Sequence, residues 1–174
     1  MRSPKRLILL GTALLAVAAT VSVTQVALGS RPAKPRCAGS QLKGKLLDSN
    51  GAAGTILFSV TLQNKGSACT LNGYPALGIA NAKGLLPTNV VHGGLPAQSP
   101  APKLVNLAHL GKASVLISFE DVPVGGETSC PTGNAIVLRP PGAWEWLTIK
   151  AGTQACEKGT LHTSPVLAGV HSSQ

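Results

Sequence analysis

The alternation of apolar side chains at every second position constrains the fold of this chain more than any other feature. In residues 55–63, Ile56, Phe58, Val60 and Leu62 recur with a period of two. Side chains that alternate in this way share one face of a β-strand, whereas a helix would spread them around its circumference. The pattern therefore predicts a strand with one face in a core. Similar runs occur at residues 77–79, 113–119, 136–138 and 147–149.

Turn-forming residues separate these runs, and no window of a dozen residues predicts an amphipathic helix. Asn64-Lys65-Gly66-Ser67, Val124-Gly125-Gly126 and Arg139-Pro140-Pro141-Gly142 are stretches of this kind. Seven or more short strands at this spacing are typical of an all-β antiparallel sandwich, with a barrel as the alternative. A chain of 174 residues is long enough for one such domain.

The first 29 residues have the build of an export signal. Three basic residues precede an uncharged stretch, residues 7–28, which ends in the small residues that signal peptidase prefers. Cleavage between Gly29 and Ser30 would release the domain. The alternative is an uncleaved anchor, because residues 7–28 are long enough to tether the chain in a bilayer. Both alternatives place the remaining residues outside the cytoplasmic membrane, either secreted or in the cell envelope.

Four cysteines, an even number, are consistent with an oxidising compartment. They permit three disulfide pairings, and we favour Cys37 with Cys69 and Cys130 with Cys156, since sequential pairs join neighbouring strands without threading the chain. A zinc site is the rival interpretation. It lacks support, because no two cysteines have the close C-x-x-C spacing of such sites and no histidine lies beside them.

The chain is basic, with 15 Lys and Arg residues against six Asp and Glu. Three of the basic residues belong to the leader, so the remaining chain carries a net charge of +6. This charge favours anionic partners such as phosphate-bearing wall polymers or acidic headgroups. Nucleic acid is not expected, because arginines interleaved with aromatic residues are missing. The lysines are scattered, which indicates a solvated surface: Lys43, Lys45, Lys65, Lys83, Lys103, Lys112, Lys150 and Lys158.

The domain organisation follows from these features. Residues 30–36 form a short spacer stiffened by two prolines, and residues 37–170 form a single domain. Residues 86–103 depart from the strand rhythm, since three prolines fall between Leu95 and Pro102. Proline cannot donate to a sheet ladder, so we expect a long exposed loop there.

One stretch carries a family resemblance. Cys69-Thr70-Leu71-Asn72-Gly73-Tyr74-Pro75 resembles the C-x-L-x-G-Y-P signature of an actinobacterial exported domain of unknown function, the 4232 domain. Other pieces match in order over about residues 37–168, among them Cys37 with Gln41-Leu42, Pro140-Pro141-Gly142 and Cys156. The resemblance implies an immunoglobulin-like sandwich and implies no activity. We interpret Gly-Tyr-Pro as structural, because glycine and proline shape the turn while the tyrosine packs its ring.

Catalytic apparatus is not recognisable in the sequence. A G-x-S-x-G nucleophile motif is missing, and the adjacent carboxylates of Glu120 and Asp121 would point to opposite faces of a strand. His92 and His109 flank the predicted loop, but no histidine pair has the spacing of two metal ligands on one face. We therefore predict no enzyme activity, no cofactor and no metal. A metal-binding envelope protein, or an enzyme whose site is assembled from dispersed residues, remains the alternative.

Trp144 and Trp146 lie two positions apart, which would place them on one side of a strand. In a chain with only five aromatic residues, we expect both indoles to fill the core. If exposed, they would form a binding surface together with His92 and the loop at residues 86–103. The function expected from the sequence is thus a monomeric, non-catalytic envelope module that binds a protein or an anionic wall polymer.

Overall fold

The computed structural model describes residues 33–94 and 100–173, which form twelve β-strands and two short helical turns. The predicted leader and its cleavage site lie outside the described residues. Within them, no helix is long and apolar enough to cross a membrane. The turns are a 3-10 turn at Gly39–Gln41 and α1 at Cys156–Gly159. The strands are β1 (Leu42–Ala52), β2 (Thr55–Asn64), β3 (Cys69–Leu71), β4 (Ala76–Asn81), β5 (Gly84–Leu85), β6 (Asn89–His92), β7 (Val105–Leu107), β8 (Lys112–Glu120), β9 (Thr132–Arg139), β10 (Leu147–Gln154), β11 (Thr160–Thr163) and β12 (Leu167–Ala168).

The first sheet has the strand order β1-β2-β8-β11-β6, and β12 also pairs with β8. Antiparallel pairing of β2 with β8 runs without a break from Thr55–Glu120 to Gln63–Lys112. The alternation predicted for β2 is confirmed, because Phe58, Val60 and Leu62 are all buried. The sequence pattern thus fixes which face of this sheet forms the core and which side chains face outward.

The second sheet has the order β10-β9-β4-β5, and its apolar residues join those of the first sheet in one core. Ile79, Ile136 and Leu138 are fully buried there. The two phenylalanines belong to this core, where Phe58 and Phe119 pack edge to face with ring centroids 5.1 Å apart. The predicted all-β sandwich is therefore confirmed, with a small third sheet of β3 and β7 added to it.

Part of the predicted long loop is in fact a strand. Asn89–His92 forms β6, which pairs in parallel with β11 at the edge of the first sheet. The expectation of a loop was wrong for these residues because the prolines that motivated it begin only at Pro96. An edge strand of four residues also escaped the periodicity argument, since it presents no alternating buried face. Residues 95–99 of the predicted loop lie outside the described part of the chain.

Both predicted disulfides are confirmed. Cys37 and Cys69 are joined, with Cα atoms 4.9 Å apart, and Cys130 is joined to Cys156, with Cα atoms 4.5 Å apart. The chain just before Cys37 runs alongside β3, where Thr70 N donates to Pro35 O at 2.8 Å and Cys37 N donates to Thr70 O at 3.0 Å. The last residues of the predicted spacer therefore pair with the domain.

Candidate binding surfaces

The register of the first sheet assembles lysines on its outer face. Lys43 of β1 lies opposite Gln63 of β2, and Gln63 in turn lies opposite Lys112 of β8. Lys45 occupies the next outward position of β1, opposite Thr61. Residues directly opposite in an antiparallel pair share one face, so three lysines from two strands converge around the outward side chains of β2.

These side chains line a groove of about 280 Å³, called here the lysine groove. None of the described residues that line it is acidic. The hydroxyl oxygen of Thr61 is buried in the groove and has no hydrogen-bond partner among the described residues. The groove therefore combines concentrated positive charge with one unpaired polar atom. Its lining residues are Lys43, Lys45, Leu47, Thr61, Gln63, Lys65, Lys112 and Val170.

Four of the eight lysines are thus gathered on one face, and they are exposed to solvent there, as predicted. Sequence positions 43, 45, 65 and 112 are far apart along the chain, and only the pairing of β1, β2 and β8 brings them together. A partial signal was present in Lys43-Gly44-Lys45, where two lysines share one face of a predicted strand. The contribution of Lys112 required the register between β2 and β8, which alternation alone does not supply.

The C-terminal segment, residues 169–173, forms a further wall of this face. Ser114 Oγ donates to Gly169 O at 2.8 Å and accepts from His171 N at 3.0 Å. Ser59 Oγ donates to His171 O. Both serines are fully buried, so their hydroxyls need protein partners, and the segment supplies them. Val170 is thereby held at the lysine groove.

The second candidate surface contains the two tryptophans, and here the expectation of buried indoles was wrong. Trp144 is 86% exposed and Trp146 is 46% exposed. Strand β9 ends at Arg139, and Pro140-Pro141-Gly142 begins a connection that continues to Leu147, the first residue of β10. Both indoles belong to this connection, so the two-residue period of a strand does not apply to them. Aliphatic side chains and the two phenylalanines fill the core instead.

Two arginines accompany the tryptophans. The Arg139 guanidinium lies over the Trp146 ring, 5.2 Å from its centroid, within the range of a cation–π contact. Arg36 lies against Gly142, where an added Cβ would come within 3.0 Å of the guanidinium. Since Gly142 also has a φ of +76°, glycine suits this position in two ways. Both guanidiniums are thus held at one surface by the connection that follows β9.

These residues surround a depression of about 390 Å³, called here the arginine–aromatic depression. A smaller depression of about 190 Å³ shares Arg36, Pro141 and Gly142 with it. Among residues 33–94 and 100–173, no acidic residue lines either of the two. The larger one is lined by Arg36, Tyr74, Ala76, Arg139, Pro140, Pro141, Gly142, Ala143 and Trp144.

The carboxylate of Glu145, which lies between the two tryptophans in the sequence, accepts hydrogen bonds from the backbone. Gly39 N donates to Glu145 Oε2 at 2.9 Å. Hydrogen bonds from the backbone N–H groups of Glu145 itself and of Gly39 hold the pKa of this carboxyl below its ordinary value. An added Cβ at Gly39 would lie 2.8 Å from Glu145 Cβ, so the two segments meet closely. This contact fixes the loop that carries the indoles.

His92, predicted as part of a binding surface, lies beside the arginine–aromatic depression through Tyr74. The two rings stack with centroids 4.2 Å apart and an interplanar angle of 3°. Tyr74 follows Gly73, whose φ of +109° confirms the predicted need for glycine in this turn. The fold therefore places Trp144 and Tyr74 in the lining, with Trp146 and His92 packed on lining residues.

Three residues whose side chains could ligate a metal lie together in the described part of the chain, but their contacts are structural. They are Glu127, Cys130 and Cys156. Both sulfurs belong to a disulfide and offer no thiolate. The Glu127 carboxylate accepts from the backbone N–H groups of Glu157 at 2.9 Å and Lys158 at 3.0 Å. These two residues have φ values of 51° and 60°, a turn that the carboxylate stabilises.

Fold and surface together define a disulfide-linked β-sandwich domain with a basic groove and an exposed aromatic corner. The chain belongs to the family described as "Domain of unknown function (DUF4232)", whose model matches residues 37–167. The predicted family resemblance is thereby confirmed. No curated protein and no solved structure shows significant similarity to the chain.

Proposed function

We propose that this protein is a non-catalytic, exported envelope module that binds an anionic, phosphate-bearing polymer in the lysine groove. The observation that carries the proposal is the convergence of four lysines from three separate chain segments on one face, where none of the described lining residues is acidic. Ammonium groups so placed repel one another in the free protein, and an anion relieves that repulsion. Export is supported by the apolar leader and by the two disulfides, which are typical of oxidising compartments.

The shape of the groove favours a polymer chain over a compact anion. Its lysines lie on β1, at the end of β2 and at the start of β8, so the charges are spread along a sheet surface. Lysine is a flexible point charge that pairs with successive phosphates without demanding a fixed geometry. The exposed side chains of Leu47 and Val170 add apolar contacts for the carbon atoms between phosphates. A polyol phosphate chain offers both kinds of group.

The experiment compares two variants with equal change of charge. In the first, Lys43, Lys45, Lys65 and Lys112 are all replaced by Gln; in the control, Lys83, Lys103, Lys150 and Lys158 are replaced by Gln. Binding of a polyglycerol phosphate chain is measured by calorimetry between low and physiological salt. We expect the groove variant to lose at least about tenfold in affinity and the control to lose much less, because exposed distant charges are screened. Equal losses would contradict a defined groove and indicate an effect of net charge alone.

The salt dependence separates the polymer from other anionic partners. Each lysine–phosphate contact releases condensed counterions, so the slope of log affinity against log salt should be shallower by about three to four in the groove variant. Vesicles containing an acidic phospholipid form a second arm of the same measurement. Stronger binding to vesicles than to the polymer at equal phosphate concentration would assign the groove to a membrane surface instead.

A further inference from the structure

We infer that the arginine–aromatic depression is a second, separate binding site, which recognises an acidic saccharide unit: a sugar ring that carries a carboxylate or a phosphate. This second site is independent of the lysine groove, since the two sites share no lining residue. Three observations support it, namely the exposed flat indole, the two guanidiniums in the lining and the size of the depression.

The exposed indole is the first observation. This chain has five aromatic residues, and the two phenylalanines lie in the core, while Tyr74 and Trp144 line the depression and Trp146 contacts the lining residue Arg139. An indole with 86% of its surface exposed loses the hydrophobic stabilisation that it would gain in the core. The apolar C–H face of a sugar ring packs well on such a flat aromatic face. The loop geometry keeps that face available, because the Glu145 carboxylate anchors the loop at Gly39.

The guanidiniums are the second observation and give the charge preference. Arg36 and Arg139 both line the depression, and no carboxylate from the described part of the chain does. A guanidinium binds a carboxylate or phosphate through two parallel N–H donors, so a planar anion is recognised with defined orientation. Arg139 is already oriented by its contact with Trp146. A ligand with a sugar ring over Trp144 and an acidic substituent at the arginines satisfies both features together.

The size of the depression is the third observation. A volume of about 390 Å³ falls in the range of small-molecule sites. The adjoining depression of about 190 Å³, which also contacts Arg36, extends it along the surface. The pair would accommodate consecutive units of a short saccharide. Nine described residues line the larger depression, whereas a standard interface with a folded protein takes about 20–30 residues from each partner.

The test uses Trp144 as its own reporter. In the oxidised full-length chain, Trp146→Phe leaves Trp144 as the sole tryptophan and keeps an aromatic ring beneath Arg139. Digalacturonic acid is titrated into this protein, and the shielding of Trp144 from acrylamide quenching is measured. The methyl ester of the same disaccharide keeps the rings and removes the charge. Glucose 1-phosphate with glucose as its neutral partner forms the phosphate arm, and a short polyaspartate peptide tests charge without a sugar ring.

We expect the acidic saccharide to shield Trp144 and its neutral partner to bind at least about tenfold more weakly, since hydrogen bonds to charged groups exceed neutral ones by this margin. Shielding in the uronate arm, the phosphate arm or both supports the site and identifies its anion. Equal shielding by the neutral sugars, equal shielding by polyaspartate, or no shielding by any probe would overturn the proposal.

Single-residue variants, each compared with a control, test whether the saccharide binds at the arginine–aromatic depression. Arg139→Gln should weaken binding by about tenfold or more. Replacing Trp144 by Ala, in the chain that retains Trp146, should weaken it roughly three- to tenfold by calorimetry. Leu85→Ala, at a residue of β5 that is 69% exposed, and Lys83→Gln in the turn before it are the controls and should bind as the parent does. The groove variant with four Lys→Gln changes should also retain saccharide binding, so failure of either proposed site leaves the other testable.

Discussion

At the scale of single residues, Asn64 organises the end of the sandwich below the lysine groove. It is fully buried, and its amide reaches three segments of chain. Asn64 Nδ2 donates to Ser67 O at 2.8 Å and to Ala108 O at 3.0 Å, while Oδ1 accepts from Gln41 Nε2 at 2.9 Å. A buried polar side chain is tolerated when its donors and acceptors are satisfied in this way. The residue therefore ties the ends of β2 and β7 to the 3-10 turn.

We expect Asn64→Ala to lower the free energy of unfolding by about 3 kcal/mol, because it removes the five hydrogen bonds made by this fully buried side chain. Guanidinium unfolding with the disulfides intact measures this. Asn72→Ala is the matched control, since Asn72 is exposed in the turn after β3, and its effect should stay within about 0.5 kcal/mol. If the two variants proved equally stable, Asn64 would not have the organising role assigned to it.

At the scale of elements, the C-terminal segment completes the first sheet by covering its outer face. The Ser114 hydroxyl makes two hydrogen bonds to this segment, at Gly169 O and His171 N. Replacing Ser114 by Ala should lower the free energy of unfolding by about 1–2 kcal/mol. It should also release residues 169–173, because fewer contacts then hold them. Faster trimming of the C-terminus by a carboxypeptidase checks the second effect.

Ser49→Ala provides the comparison, because Ser49 is exposed on β1. Its rate of C-terminal trimming should equal that of the parent chain. Unchanged trimming of the Ser114→Ala variant would mean that the contacts of Ser59 and Asp48 suffice to hold the segment.

The elements also show how far sequence reasoning reaches. Strand β2 was predictable because one of its faces packs in the core and the other is polar, so apolar and polar residues alternate along its sequence. Strand β6 was not, since its four residues are held by backbone pairing with β11 and by little burial. The tryptophans were misplaced because Trp144-Glu145-Trp146 has the spacing of a strand although the preceding prolines turn the chain outward. The lysine groove needed the register between strands, which is a property of the assembled sheet.

At the scale of the whole molecule, the two disulfides add covalent links between segments that are already joined by backbone hydrogen bonds. Cys37–Cys69 joins the segment before β1 to β3, and Cys130–Cys156 joins the segment before β9 to the turn after β10. The sequence separations are 32 and 26 residues, so the chain-entropy model assigns about 3.5 kcal/mol to each bond. Because the closed loops do not overlap, the two contributions should be nearly additive.

Because the two contributions are nearly additive, we expect folding to depend on an oxidising compartment in which both disulfides form. Domains of this size are stable by about 5–15 kcal/mol, so losing one disulfide leaves a folded but weakened protein, whereas losing both removes about 7 kcal/mol. We therefore expect Cys37→Ser with Cys69→Ser, and Cys130→Ser with Cys156→Ser, each to give a folded chain with a lowered melting temperature. The variant without any cysteine should be largely unfolded at 37 °C by circular dichroism. A cysteine-free chain as stable as either double variant would show that the sandwich needs no oxidising compartment, and the disulfides would then no longer support export.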